Sequence, residues 1–426
     1  MSRRIAYLHC GNNAQLRSFQ DFSHYLDDAV HLADLPRTDL AAYAAVVVAD
    51  AMDSRRIAAH GAQLNAYVRG GGFLVVFFQG EADWIDVVDL EWRDHKVHDW
   101  LWWTREPRYV ETCQPEPKHP ICEAIPLSAM SWHWGGVYAP HPQARTILGL
   151  EDGSGCLFMD FPNACGGRLM VATLDPHSHN GQRFMPATTR FLQGFYPWLN
   201  AELGIARGDC NRVTYLQCVH TLDNWEPEQT RESLTGAGFA FRTHPHLEID
   251  ARVLGETDIL YLPPNHDEHF LAARQPLFLD YLASGGSLIL CGEPFAPWLP
   301  FLAPFRAVPP RPFTNMKVRV RDDRAGFFRN MPEDFDGWQG VFGQYARGWT
   351  DMPPGAVRLT DVGPPDDPRP ADWLWRYPAP SLRGGFVFMH NGDSLIRYPD
   401  HGEAPFTLVR DVCLGLQALS LGRILF

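Results

Sequence analysis

The sequence predicts an α/β protein made of two tandem copies of one domain, each a mostly parallel sheet flanked by helices. Three observations predict it: continuous apolar runs of strand length in both halves, a helix–glycine–strand step that occurs twice, and further matching segments in the same order. Continuous rather than alternating apolar runs are what strands covered on both faces require. A chain of 426 residues is also long for one core and suits two domains.

The elements follow in order. Each half opens on a buried strand, Arg4-Ile5-Ala6-Tyr7-Leu8-His9-Cys10 against Arg212-Val213-Thr214-Tyr215-Leu216-Gln217-Cys218. A second strand pair is Tyr43 to Ala49 and Thr257 to Pro263. The most specific match is Leu64 to Val76 against Phe278 to Leu290, in which a helix stops at Gly70-Gly71-Gly72 or Gly285-Gly286 and a strand begins at once. Glycine supplies the left-handed conformation that closes a helix, and the tight return suits a parallel crossover. Both strands run into a Gly-Glu pair, Gly80-Glu81 and Gly292-Glu293, with Trp84 and Trp298 soon after. Trp134 to Tyr138 echoes Trp338 to Phe342, and Gly166 to Ala172 echoes Gly384 to His390. Helices close the halves over about Pro186 to Leu203 and Pro405 to Leu419, and the boundary falls so that the domains are 1–207 and 208–426. The Pro-, Trp- and His-rich stretches after each Gly-Glu pair read as irregular insertions at the sheet edge.

Charge and cysteine usage narrow the function. Thirty-seven basic against fifty acidic residues leave a net charge of −13, which repels nucleic acid and anionic membranes. The basic run Lys317 to Arg321 alternates and reads as an exposed strand face. Nine scattered cysteines fit reduced thiols, and the sequence carries neither a signal peptide nor a spanning segment, so a cytoplasmic location is expected.

The order strand, helix, strand, helix, Gly-Gly, strand, sharp turn, then a late strand ending in histidine resembles class I glutamine-amidotransferase-like (flavodoxin-like) domains. Within them, the glycine steps look like the trehalose-utilisation (ThuA-like) branch. The resemblance implies a cysteine on the turn after the Gly-Gly-led strand, eased to thiolate by a helix N-terminus, and a histidine base on the late strand. In the first half that turn reads Phe77-Phe78-Gln79-Gly80-Glu81, so the resemblance implies a domain dead as a thiol enzyme. In the second half Cys291 and His390 occupy both positions, with Asp393 as the acid. The departure is Gly392, which stands where the family places its acid. A cysteine ending the apolar run Leu288-Ile289-Leu290 reads equally as a small buried side chain.

At the carboxyl edge of the first sheet, His9, Glu81, Asp175, His177 and His179 gather as candidates for a polar-ligand pocket, with Glu293 the corresponding acid of the second half. Alternation of Asp175, His177 and His179 along an extended segment permits a three-ligand metal set, but neither a metal nor a cofactor is expected. The tryptophans Trp92, Trp100, Trp102, Trp103, Trp132 and Trp134 read as core or interface before sugar platform. His95 and His98 share a helix-face spacing without a third ligand.

Taken together, the residues point to a non-catalytic binding or assembly module of two degenerate domains, with a protein partner or self-association expected. One alternative is a cysteine-dependent hydrolase or amidotransferase-related enzyme using Cys291, His390 and Asp393. Another is a carbohydrate-binding or carbohydrate-processing protein, with a small polar or sugar ligand.

Overall fold

A computed structural model describes residues 4–95, 111–218, 225–331, 335–338, 341–397 and 406–426. The chain divides into two compact units, Met1–Arg207 and Gly208–Phe426. Lys96 to His98 and Trp100, Trp102 and Trp103 lie outside the described residues.

The first unit runs β1 (Ile5–His9), α1 (Asn13–Asp21), β2 (Asp28–His31), β3 (Ala45–Val48), α2 (Ser54–Ala58), α3 (Gly61–Arg69) and β4 (Phe73–Phe77). It continues through β5 (Trp92–Arg93), β6 (Thr112–Cys113), α4 (Ile121–Ala124), β7 (Val137–Tyr138), β8 (Arg145–Leu150), β9 (Cys156–Ala164), β10 (Gly167–Ala172), α5 (Pro176–Gly181) and α6 (Pro186–Glu202). Its sheet has the order β2-β1-β3-β4-β10-β9-β7-β5, with β8 on β9 and β6 on β8. The five strands from β2 to β10 are parallel; those beyond are antiparallel. The parallel part has the 2-1-3-4-5 order of a doubly wound flavodoxin-like sheet.

The second unit repeats this frame with β11 (Arg212–Gln217), α7 (Trp225–Thr235), β12 (Ala240–Pro245), α8 (Ala251–Gly255), β13 (Ile259–Leu262), α9 (Glu268–Ala272), α10 (Gln275–Ala283) and β14 (Ser287–Cys291). There follow β15 (Arg306–Ala307), β16 (Arg319–Val320), β17 (Gly337–Trp338), β18 (Val341–Phe342), β19 (Gly348–Trp349), β20 (Val357–Val362), β21 (Arg369–Arg376), β22 (Phe386–His390), β23 (Ile396–Arg397), β24 (Phe406–Thr407) and α11 (Val409–Ser420). The sheet order is β12-β11-β13-β14-β22-β21-β20-β16, again five parallel strands followed by antiparallel ones. Both sheets bury their strands completely at the centre, as the unbroken apolar runs require.

The shared glycines have a packing cause. Gly71 and Gly285 take φ of +93° and +101°, closing α3 and α10. A Cβ on Gly72 would lie 2.4 Å from the Tyr67 ring, and one on Gly286 2.1 Å from Tyr281. Those two tyrosines bridge the same two strands in both units: Tyr67 donates to the carbonyls of Tyr43 and Phe73, and Tyr281 to those of Asp258, one residue further along, and Ser287. Asp53 and Asp267 likewise cap α2 and α9 alike.

Two expectations change. The stretches after the Gly-Glu pairs are not merely irregular, because short strands within them extend each sheet in the antiparallel sense. The match of Trp134–Tyr138 to Trp338–Phe342 is not topological: β7 joins the main sheet, whereas β18, among the described residues, pairs with β17 in a separate ribbon. Two-residue strands carry too little side-chain pattern to specify a partner, so tertiary context decides it.

Candidate functional site

In the second unit Cys291 and His390 stand opposite each other as register partners on the adjacent parallel strands β14 and β22. Both are fully buried. Cys291 is part of the apolar core with Ile289, Phe388 and the α11 residues Val412 and Leu416. The imidazole of His390 donates through Nδ1 to Asp372 Oδ1 at 2.7 Å, and Asp372 Oδ2 accepts from the Tyr345 hydroxyl at 3.0 Å and from Thr360 Oγ1. The Tyr345 ring lies 4.3 Å from the imidazole. Burial first, then the Asp372 charge, hold the Tyr345 hydroxyl well above its ordinary range. His390 Nε2 is buried with no hydrogen-bond partner among the described residues.

Asp393 does not reach this network. It is exposed and accepts from Arg347 Nη2 at 3.3 Å. At Gly392 no side chain fits: a Cβ there would sit 1.9 Å from the Tyr345 carbonyl oxygen and 2.8 Å from His390 Nε2. The carboxylate therefore comes from Asp372, directly across the antiparallel pair β21–β22. A buried acid inside the apolar run Ala371-Asp372-Trp373-Leu374-Trp375 was the available signal.

The turn also differs from a nucleophile elbow. Cys291 ends a regular strand, and the left-handed residue is Gly292, with φ +122°. No helix follows between Gly292 and β15, so the turn does not lead into a helix N-terminus. Glu293 beyond the turn is exposed.

In the first unit the crevice where strand order reverses, between β1 and β3, is filled by polar side chains of the chain itself. Asp50, just past β3, is fully buried and accepts from the backbone N–H and Nδ1 of His177 at 2.6 and 3.0 Å and from the Ser178 N–H at 3.0 Å. His177 Nε2 meets the Tyr196 hydroxyl at 2.8 Å, and Gln15 bonds both the Cys10 N–H and the Asp50 carbonyl. His177 is thus a satisfied core residue. Nearby, His9 at the end of β1 packs edge-on to His31. Burial, with the His31 charge adding and Asp34 opposing, pushes the His9 imidazole down to about 4. Glu81 is exposed.

Residues 176–181 form a helix rather than an extended segment, because Pro176 at the first helical position presets φ. The two histidines therefore diverge. His177 turns to Asp50, while His179 comes back to Asp175 one turn earlier, its Nε2 3.0 Å from Oδ2. A third group, His133, arrives from the loop between Trp132 and Trp134. Its Nε2 lies 3.7 Å from Asp175 Oδ2 and 3.3 Å from His179 Nε2. Trp132 and Trp134 are fully buried, and Trp132 Nε1 donates to Asp175 Oδ1 at 2.8 Å. Burial would raise the Asp175 carboxyl, but bonds from His133 and His179 outweigh it and hold the carboxyl below the usual range. For His179 the depressing effect of burial is exceeded by the bond and charge of Asp175, and its pKa is raised. Sequence reasoning missed His133, which lies far from Asp175 in sequence and sits between tryptophans that read as an aromatic cluster.

No helix among the described residues is long and apolar enough to cross a membrane. No protein-family model and no curated protein matches the chain. Among solved structures, the exo-beta-1,4-mannosidase Op5Man5 from Opitutaceae bacterium strain TAV5 is similar over 47% of this chain and 36% of its own, at 11% identity and a TM-score of 0.30. The match thus spans about a third of that enzyme's length.

Proposed function

We propose that the chain is a non-catalytic binding or assembly module, built from two degenerate amidotransferase-like domains of the ThuA-like kind. The observation that carries this reading is the sealing of Cys291. The only half with a cysteine at the turn buries that thiol completely, on a regular strand, inside an apolar core and with no helix directly after the turn. A thiol nucleophile needs an approachable setting, and this thiol is sealed from solvent. In the first half the same turn, Phe77-Phe78-Gln79-Gly80-Glu81, carries no cysteine.

The test is alkylation of the native protein by iodoacetamide at neutral pH with peptide mass spectrometry, using the exposed Cys165 as the internal standard. Cys165 is expected to label and Cys291 to stay unmodified until the protein is unfolded. Labelling of Cys291 faster than Cys165, slowed by His390→Ala, would establish the cysteine-enzyme alternative instead.

A further inference from the structure

We infer that His133, Asp175 and His179 form a binding site for a divalent transition-metal ion, with zinc the best match. Their ligand atoms all lie within 4.8 Å of one another. The three edges of the triangle, His179 Nε2 to Asp175 Oδ2, His133 Nε2 to His179 Nε2 and His133 Nε2 to Asp175 Oδ2, measure 3.0, 3.3 and 3.7 Å. Three ligands on a tetrahedral ion with bonds of about 2.0–2.1 Å stand about 3.3 Å apart. The triangle therefore has the size a zinc ion imposes, without movement of the backbone.

Chemistry agrees with size. Two imidazole nitrogens and one carboxylate oxygen are a borderline-soft set that suits zinc and its transition-metal neighbours. Magnesium and calcium prefer an all-oxygen shell. Two imidazole Nε2 atoms at 3.3 Å cannot both point protons at one another, and both also face the same carboxylate oxygen. Three lone-pair atoms converging on one point are held either by a shared proton or by a cation. Asp175 is held for the role: Trp132 Nε1 fixes its second oxygen, and the i, i+4 relation across α5 sets His179 against it. Asp175 and His179 are buried while His133 is half-buried, which leaves the fourth position on the His133 side for water or a small oxygen ligand. The inference is independent of how the second half is read, because it uses none of its residues.

The test uses the full chain stripped with chelator, then titrated with zinc and followed by calorimetry and by metal analysis after desalting. One zinc per chain is expected, together with a rise in melting temperature on loading. His133→Ala and His179→Ala should lose that ion and the rise. Trp132→Phe, which keeps the buried ring but frees Asp175 Oδ1, should weaken binding roughly 10–100-fold. Cobalt in place of zinc should give the intense visible bands of a tetrahedral site. Should His179→Ala fail to fold, His133→Gln at the half-buried position serves with the metal-free melting curve as its check. Absence of stoichiometric zinc, or zinc that persists unchanged in the His133 and His179 variants, would overturn the proposal and leave a hydrogen-bonded triad.

Discussion

Three equivalent positions of the two sheets are filled in opposite ways. Where β14, β22 and β21 place Cys291, His390 and Asp372, the strands β4, β10 and β9 place Phe77, Ala172 and Phe158 in the same mutual register. In the first unit Phe77 packs on Phe158, Phe191 and Phe195, with ring centroids 5.4 to 6.1 Å apart. In the second unit a carboxylate, an imidazole and two hydroxyls occupy the corresponding layer, all buried. The frame thus does not need polar groups here. In the second unit Asp372 holds the network together, through His390, Tyr345 and Thr360.

The largest expected effect comes from removing that centre. Asp372→Ala should destabilise the second unit by about 3–5 kcal/mol in denaturant unfolding, since it strands the buried His390, Tyr345 and Thr360 groups. Replacing both members, as Asp372→Leu with His390→Leu, should cost less than the single change, because an apolar filling is the solution the first unit already uses. A double variant worse than Asp372→Ala would break the comparison. In the first unit Phe77→Ala should cost about 3–4 kcal/mol by opening a cavity among Phe158, Phe191 and Phe195, again read by unfolding.

How much of this was legible from sequence depends on whether a residue's constraint is local. The Gly-Gly steps were visible because Gly72 and Gly286 face their own tyrosines five residues earlier, a contact written within one short segment. The equivalence of β4 with β14 and of β10 with β22 followed from them. For Asp372 the acid within an apolar run was a signal of burial but not of its partner, and His133 gave no signal at all, because each meets its partner through strand pairing or loop packing between segments remote in sequence. The helix at Pro176–Gly181 was legible from the Asp-Pro start, and reading it as extended sent His177 and His179 to the same place when they part.

A smaller effect distinguishes the first strands. His9 corresponds to Gln217, which does not titrate. With the folded His9 pushed down to about 4 from its ordinary 6.5, the unfolded chain takes up the proton first. Its contribution is fully present above about pH 6.5 and is lost as pH falls towards 4, by about 1–3 kcal/mol after allowance for solvent at the strand end. Unfolding measured across that range should show the loss, and His9→Gln, copying the second unit, should remove it. Smallest of all, Cys291→Ala should cost about 1 kcal/mol, the value of one small buried side chain rather than of a reactive group.

The most direct test of the sealed interior is the free energy of exposing the Cys291 thiol, obtained from its labelling rate over a series of sub-denaturing urea concentrations. The account predicts an opening energy equal to that for unfolding the second unit, with the same urea dependence. A small, urea-independent opening energy would mean that the thiol is reached by local motion, and would contradict it.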